Sequence, residues 1–130
     1  SRLGNRQEAL RYYHRSFKLA EEIGNLSALG KISSNIATVF GIEGKVDKAL
    51  EFYRKALKIS RSVGSKFQEE LILYNIGELY CRTHNYDKSL EYLQKSKIIC
   101  EEISDKIGIT YADEMNGDIL FAQGKIAEAK

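Results

Sequence analysis

The chain has 130 residues, no proline, and 20 Lys and Arg against 18 Asp and Glu, for a net charge of +2. A length of this order is one domain's worth of protein, and the near balance of charge gives no general pull toward nucleic acid or an anionic membrane. No apolar run approaches the ~20 residues of a membrane span, and the lack of proline suits helices throughout.

The residues recur at a period of 40, with Gly4, Gly44, His84 and Gly124 in one row and Ala9, Ala49, Ser89 and Ala129 in another. Leu10, Leu50 and Leu90 form a third row, followed by Tyr12, Phe52 and Tyr92. A fixed period of this size predicts stacked helical units, each burying its apolar face only against its neighbours. The chain opens with a predicted helix over 6–23. A repeat follows over 26–63, built from a first helix at 26–42 and a second at 46–63. A further repeat over 66–103 has helices at 66–82 and 86–103. The partial repeat over 106–130 has a helix at 106–122, a turn at Gly124, and the start of another second helix. One array therefore spans residues 1–130.

The punctuation repeats as well. Gly24-Asn25, Gly64-Ser65 and Ser104-Asp105 pair a small helix-ending residue with a side chain able to cap the next helix. Ser65 and Gln68 have the capping-box spacing. In the second helices Val46, Ala49, Leu50, Tyr53 and Leu57 follow the i, i+3, i+4, i+7 pattern of a buried face. Tyr86, Ser89, Leu90 and Leu93 repeat it. Glu51 with Lys55 and Glu91 with Lys95 are predicted ion pairs on the outer face. Small residues mark close helix approaches at Ala37, Gly77 and Gly117, at Ala49, Ser89 and Ala129, and at Ser16, Ala56 and Ser96.

Ile76-Gly77-Glu78-Leu79-Tyr80 and Ile36-Ala37-Thr38-Val39-Phe40 resemble the Leu-Gly-x-x-Tyr run of the tetratricopeptide repeat. Ala9-x3-Tyr13, Ala49-x3-Tyr53 and Ser89-x3-Leu93 resemble its Ala-x3-Phe run. The third copy departs more, with Asn116-Gly117 and Leu120. The period of 40 exceeds the family's usual ~34, and the closing proline is absent. This longer variant is similar to the repeats of kinesin light chains, mitotic-spindle adaptors, bacterial peptide-sensing regulators and bacterial sensory arrays. The resemblance implies an all-α, right-handed superhelical solenoid of antiparallel helix pairs. It implies a protein- or peptide-binding scaffold within a larger signalling or regulatory protein.

In that family the first helices line a concave groove. The residues left over from the core pattern are Lys31, Ser34, Asn35 and Thr38, then Tyr74, Asn75, Glu78 and Arg82, then Tyr111, Glu114, Met115 and Asp118. Ile42, Leu71 and Ala122 complete the rows, and Leu71 suits core packing. Several family members use an Asn at the register of Asn35 and Asn75 to hold a bound peptide's backbone. A carboxamide offers both a donor and an acceptor to a peptide unit. Packing against a neighbouring helix is the competing role for these two residues. Glu78, Glu114 and Asp118 give the later part of the groove an acidic lean that suits a basic ligand. They count against capture of a C-terminal carboxylate, for which the family uses clustered Lys, Arg and Asn.

No enzyme, cofactor or metal is expected. Cys81-x2-His84 is a two-ligand fragment with no second pair at zinc spacing, and His84 stands at a turn-glycine register. Cys81 and Cys100 are predicted too far apart for a disulfide, which suits a reducing, cytoplasmic setting. The alternative to peptide binding is self-association or intramolecular regulation through the array's ends. Ile119, Leu120 and Phe121 at one end, and Leu10, Tyr13 and Phe17 at the other, are expected to be uncovered. The natural protein is then expected to continue in both directions, or this chain to form a homo-oligomer.

Overall fold

The computed structural model describes residues 2–129, with side chains for 4–124. Six helices follow in order: α1 (Arg2–Ile23), α2 (Leu26–Ile42), α3 (Val46–Ser62), α4 (Lys66–Arg82), α5 (Tyr86–Glu102) and α6 (Lys106–Ala129). The chain divides into two compact units, Ser1–Gln68 and Glu69–Lys130, with the boundary inside α4.

The period of 40 consists of two equal halves. The carbonyls of Ala20, Phe40, Ser60, Tyr80 and Cys100 accept from the N–H groups of Asn25, Lys45, Ser65, Asn85 and Asp105, all at 2.8–2.9 Å. Each turn passes through one left-handed residue: Gly24, Gly44, Gly64, His84 (φ 62°) or Ser104 (φ 58°). These are Schellman-type closures, in which a left-handed residue lets an N–H beyond the helix satisfy a free terminal carbonyl. The first helices begin with side-chain caps. Asn25 Oδ1 accepts from the Ala28 N–H at 3.1 Å, Ser65 Oγ from Gln68 at 3.3 Å, and Asp105 Oδ1 from Gly108 at 3.0 Å. The second helices α3 and α5 begin without such a bond at Lys45 and Asn85.

In the first unit α2 packs on both α1 and α3. Ile36 and Ala37 on α2, with Ala49, Leu50, Tyr53 and Ala56 on α3, form its dry centre. The Tyr53 hydroxyl is satisfied by Thr38 Oγ1 at 2.9 Å. In the second unit the corresponding residues are Leu73, Ile76 and Leu79 on α4, Leu93, Ile99 and Cys100 on α5, and Ala112 and Ile119 on α6. Gly77 allows a close approach, because a Cβ there would sit 3.0 Å from two Leu93 side-chain atoms. Ser89 Oγ donates to the Gly77 carbonyl at 2.6 Å. A ring stack recurs in each unit near the hairpin turn: Phe40 with Phe52 at 5.8 Å and Tyr80 with Tyr92 at 5.7 Å. Lys55 and Lys95 each lie 4.8 Å over the outer ring.

Several expectations change. α1 begins at Arg2 rather than at residue 6. α6 runs on through Gly124 to Ala129 instead of turning. Continuing the helix adds one backbone hydrogen bond per residue. Gly117 meets nothing within 4 Å of a Cβ among the described residues. Ala129, of the Ala49 and Ser89 row, lies outside the described side chains. Ile119 is fully buried (0% exposed) while Leu120 and Phe121 are exposed. Ile119 lies two helical turns from Ala112, on the face that packs inward, and its two successors rotate away. On α1, Leu10, Tyr13 and Phe17 are half-buried, and the exposed apolar stripe is Tyr12, Leu19 and Ile23. Glu91 pairs with Lys95 at 3.7 Å as expected. Glu51 instead meets Lys48 at 3.4 Å, while Lys55 lies over the Phe52 ring.

Candidate functional site

The first-helix positions separate by unit. On α2, Lys31 and Asn35 are exposed and Ser34 is half-buried. Thr38 turns toward α3, its hydroxyl engaged by Tyr53 and by the Ser34 carbonyl at 3.0 Å, so it is not an open groove donor.

In the second unit α4 and α6 run side by side in the same direction. Glu70 meets Asp105, Tyr74 meets Tyr111, and Cys81 senses Asp118, so both helices advance together. Tyr74 and Tyr111 approach with ring centroids 6.5 Å apart at 52°. Tyr111 is 55% exposed, and Tyr74, Asn75, Glu78 and Met115 are half-buried. Burial pushes the Tyr74 hydroxyl pKa above its ordinary value, and the negative charges of Glu78, Glu114 and Asp118 push it further. The Cys81 thiol is raised by burial and then by Asp118 and Glu78. Arg82 offsets only Glu78, at 3.9 Å. Glu114 and Asp118 have no ion-pair partner among the described residues. The Asn35 and Asn75 carboxamides likewise have no hydrogen-bond partner there, so neither is committed to bonding a neighbouring helix.

A second cluster escapes the sequence reading. Glu70, only 1% exposed, accepts a hydrogen bond from Cys100 Sγ and has a carboxylate oxygen within 4.8 Å of one on Asp105, while its Oε1 has no hydrogen-bond partner among the described residues. Burial, then the neighbouring Asp105 carboxyl, raises the Glu70 carboxyl to about 7. Asp105 is lowered by the neighbouring Glu70 carboxyl and by the Gly108 N–H. Burial and the Glu70 bond push the Cys100 thiol up to about 12. Of the two neighbouring carboxyls, Glu70 is the one that favours its proton. Gly108 makes room, since a Cβ there would lie 2.7 Å from Cys100 Sγ and 2.8 Å from Asp105 Oδ2. The three ligand atoms lie within 4.8 Å of one another, close enough to share an ion, and protons already account for the arrangement. The available signal was an acid in the row of Leu73 and Gly77, three and seven residues on, where the period demands an apolar or small side chain.

The Cys81-x2-His84 fragment offers no second pair of ligands. His84 Nδ1 is engaged by the Tyr86 hydroxyl at 3.0 Å. Cys81 and Cys100 are both free thiols. Among the described residues no helix is long and apolar enough to cross a membrane.

Comparison with known proteins agrees with the repeat pattern. Family models described as tetratricopeptide repeat match residues 1–62 and residues 71–105. Among solved structures, the crystal structure of BtubC (BKLC) from P. vanneervenii is similar, with a TM-score of 0.65 at 15% identity. The match covers 93% of this chain and 59% of that one, so the present chain spans less than two thirds of it. A likeness at this identity shows the fold, an all-α helical-repeat solenoid. No curated protein matches the chain.

Proposed function

Because the chain belongs to the tetratricopeptide repeat family, whose repeats are protein-interaction modules of a non-catalytic, scaffold type, we propose that it binds a peptide segment of a partner along its first helices. The gripping residues are Lys31, Ser34 and Asn35 on α2, and Tyr74, Asn75, Glu78, Arg82, Tyr111, Glu114, Met115 and Asp118 on α4 and α6. Thr38 contributes through its position rather than its hydroxyl. The module serves a larger signalling or regulatory protein in a reducing compartment, the cytoplasm, where two free thiols persist.

The observation that supports this reading best is the uncommitted Asn75 carboxamide beside the Tyr74–Tyr111 pair. A half-buried amide with no internal partner is suited to bond a ligand backbone, and Tyr and Met are enriched at interfaces. The test is to change Asn35 and Asn75 to Ala and measure affinity for a partner captured by the full chain. A loss of ~1–3 kcal/mol with unchanged helicity is expected. Unchanged affinity for a ligand mapped to these helices would remove the backbone-clamp role.

Self-association is a second reading, favoured by the exposed stripe Tyr12, Leu19 and Ile23 on α1 and by Leu120 and Phe121 on α6. Apolar patches of that kind mark contact surfaces. Mass in solution that rises with concentration, and returns to that of a monomer on Leu19→Lys or Leu120→Lys, would support it. A monodisperse monomer at high concentration would end it.

A further inference from the structure

The near-zero total charge conceals two opposed halves. Residues 1–68 carry 13 Lys and Arg against 6 Asp and Glu, a net of +7, whereas residues 69–130 carry 7 against 12, a net of −5. Within the acidic unit the charge reaches the candidate binding face. Glu78, Glu114 and Asp118 all act on the half-buried Tyr74, and only Glu78 has a basic neighbour, Arg82 at 3.9 Å. An α5–α6 ion pair, Lys97 with Asp113 at 2.7 Å, uses a different acid, and Glu114 and Asp118 stay uncompensated among the described residues.

Apolar area lies beside this charge. Leu71 on α4, with Ile107 and Tyr111 on α6, is exposed, and Tyr111 lies against Tyr74. Along the two parallel helices the N-terminal half of the face is therefore apolar and aromatic, and the C-terminal half is anionic. An aromatic face next to carboxylates attracts a guanidinium or ammonium twice, through the ring quadrupole and through charge. An acidic segment would meet repulsion, and a purely aliphatic one would bury Glu114 and Asp118 without a partner.

We infer that the occupant of the α4–α6 face is a cationic segment of a partner protein, with Lys or Arg seated at Glu114 and Asp118 and an aliphatic or aromatic side chain against Tyr74, Tyr111 and Leu71. This inference rests on the peptide-binding reading of the same face and specifies its ligand. Charge complementarity of this type governs partner choice and encounter rate, and it weakens with salt.

Three capped peptides of equal length serve as probes, alternating Leu with Arg, with Ser or with Glu. Each is titrated into the isotopically labelled full chain at low and at physiological salt, following backbone amide resonances. The Arg peptide is expected to shift the amides around Tyr74 and Tyr111 and to bind at least 10-fold more tightly than the Ser peptide, with the Glu peptide weakest. Both carboxylates are exposed, so the double variant Glu114→Lys, Asp118→Lys should fold as before and lose at least 10-fold affinity for the Arg peptide. Equal binding of Arg and Ser peptides at these amides would overturn the cationic inference while leaving peptide binding standing. No perturbation of α4 and α6 by any peptide would overturn both. Arg-peptide affinity unchanged in the double variant would reduce the effect to general charge attraction. If instead the unliganded chain self-associates and the double variant abolishes this, the occupant is the basic half of a second copy, and the inference of a partner protein falls.

Discussion

Replacing Glu70 by Gln should flatten the dependence of stability on pH between about 5 and 8. In the unfolded chain this carboxyl loses its proton near its ordinary value of 4.5, whereas in the folded unit it holds it to about 7. The folded state therefore binds more protons across that window. Stability from this group is fully present below the unfolded value, falls as pH rises through the window, and levels off above the folded value. The rise from 4.5 to about 7 corresponds to about 3 kcal/mol at ~1.4 kcal/mol per pH unit. Glu70 is 1% exposed, so solvent does little to screen it. Against a typical total of ~5–15 kcal/mol this is a large share, on the order of 8 °C in melting temperature. Glutamine reproduces the protonated form, with a carbonyl to accept from Cys100. The variant should match the parent near pH 5 and exceed it near pH 8. Urea denaturation of both proteins, followed by far-UV circular dichroism at each pH, makes the comparison. Parallel curves for the two proteins would refute the reasoning, because they would mean that Glu70 ionises as an ordinary carboxyl.

The two glycines at equivalent registers should respond oppositely to alanine. Gly117→Ala, with open space around its Cβ, should stabilise by ~0.5–1 kcal/mol through helix propensity, whereas Gly77→Ala, 3.0 Å from Leu93 and 3.3 Å from the Ser89 carbonyl, should cost ~1–3 kcal/mol; thermal melts decide both. Ser104→Gly should raise stability by up to ~1 kcal/mol, since Ser104 holds a left-handed φ of 58° that a side chain disfavours, and an unchanged or lower melting temperature would show that the turn draws support from the serine itself. A thiol reagent at pH 8 should find two cysteines after denaturation and spare Cys100 in the folded protein, because Cys100 is buried and its thiol is pushed up to about 12; rapid labelling of Cys100 in the native state would count against the sealed cluster.

The helices and turns were legible because both halves of the repeat have the same length. A turn closes from residue 20 to 25, and again every 20 residues, so one register error anywhere would have broken every row of the pattern. His84 and Ser104 could be assigned to turns though neither is glycine, because position in the period outweighs residue type. Where neighbours decide, the pattern says less. Gly124 shares its register with Gly44, yet α6 runs on through Gly124 while Gly44 turns the chain with a positive φ. The run Ile119-Leu120-Phe121 contains no alternation, and only packing on α5 selects Ile119 for burial. Thr38 stands in the groove row, but a tyrosine hydroxyl 15 residues away claims its side chain. Glu70 was hidden for a related reason. A period averages over copies, and the residues 40 before and after it are Gly30 and Thr110, so the acid has no counterpart to mark it.

Charge was the least legible property, and the reason is one of length scale. A net of +2 over the whole chain argues against polyanionic partners only if a ligand samples the whole chain. Screening at physiological salt limits that sampling to ~8 Å, far less than the length of one helix of 17 residues at ~1.5 Å per residue. A ligand on the α4–α6 face therefore responds to Glu78, Glu114 and Asp118 rather than to the total. By the same argument the stripe Arg11, His14, Arg15 and Lys18, which lines an open cleft on α1, meets its own surroundings as a cationic surface. The physically relevant charges of this chain are those of its faces rather than its total.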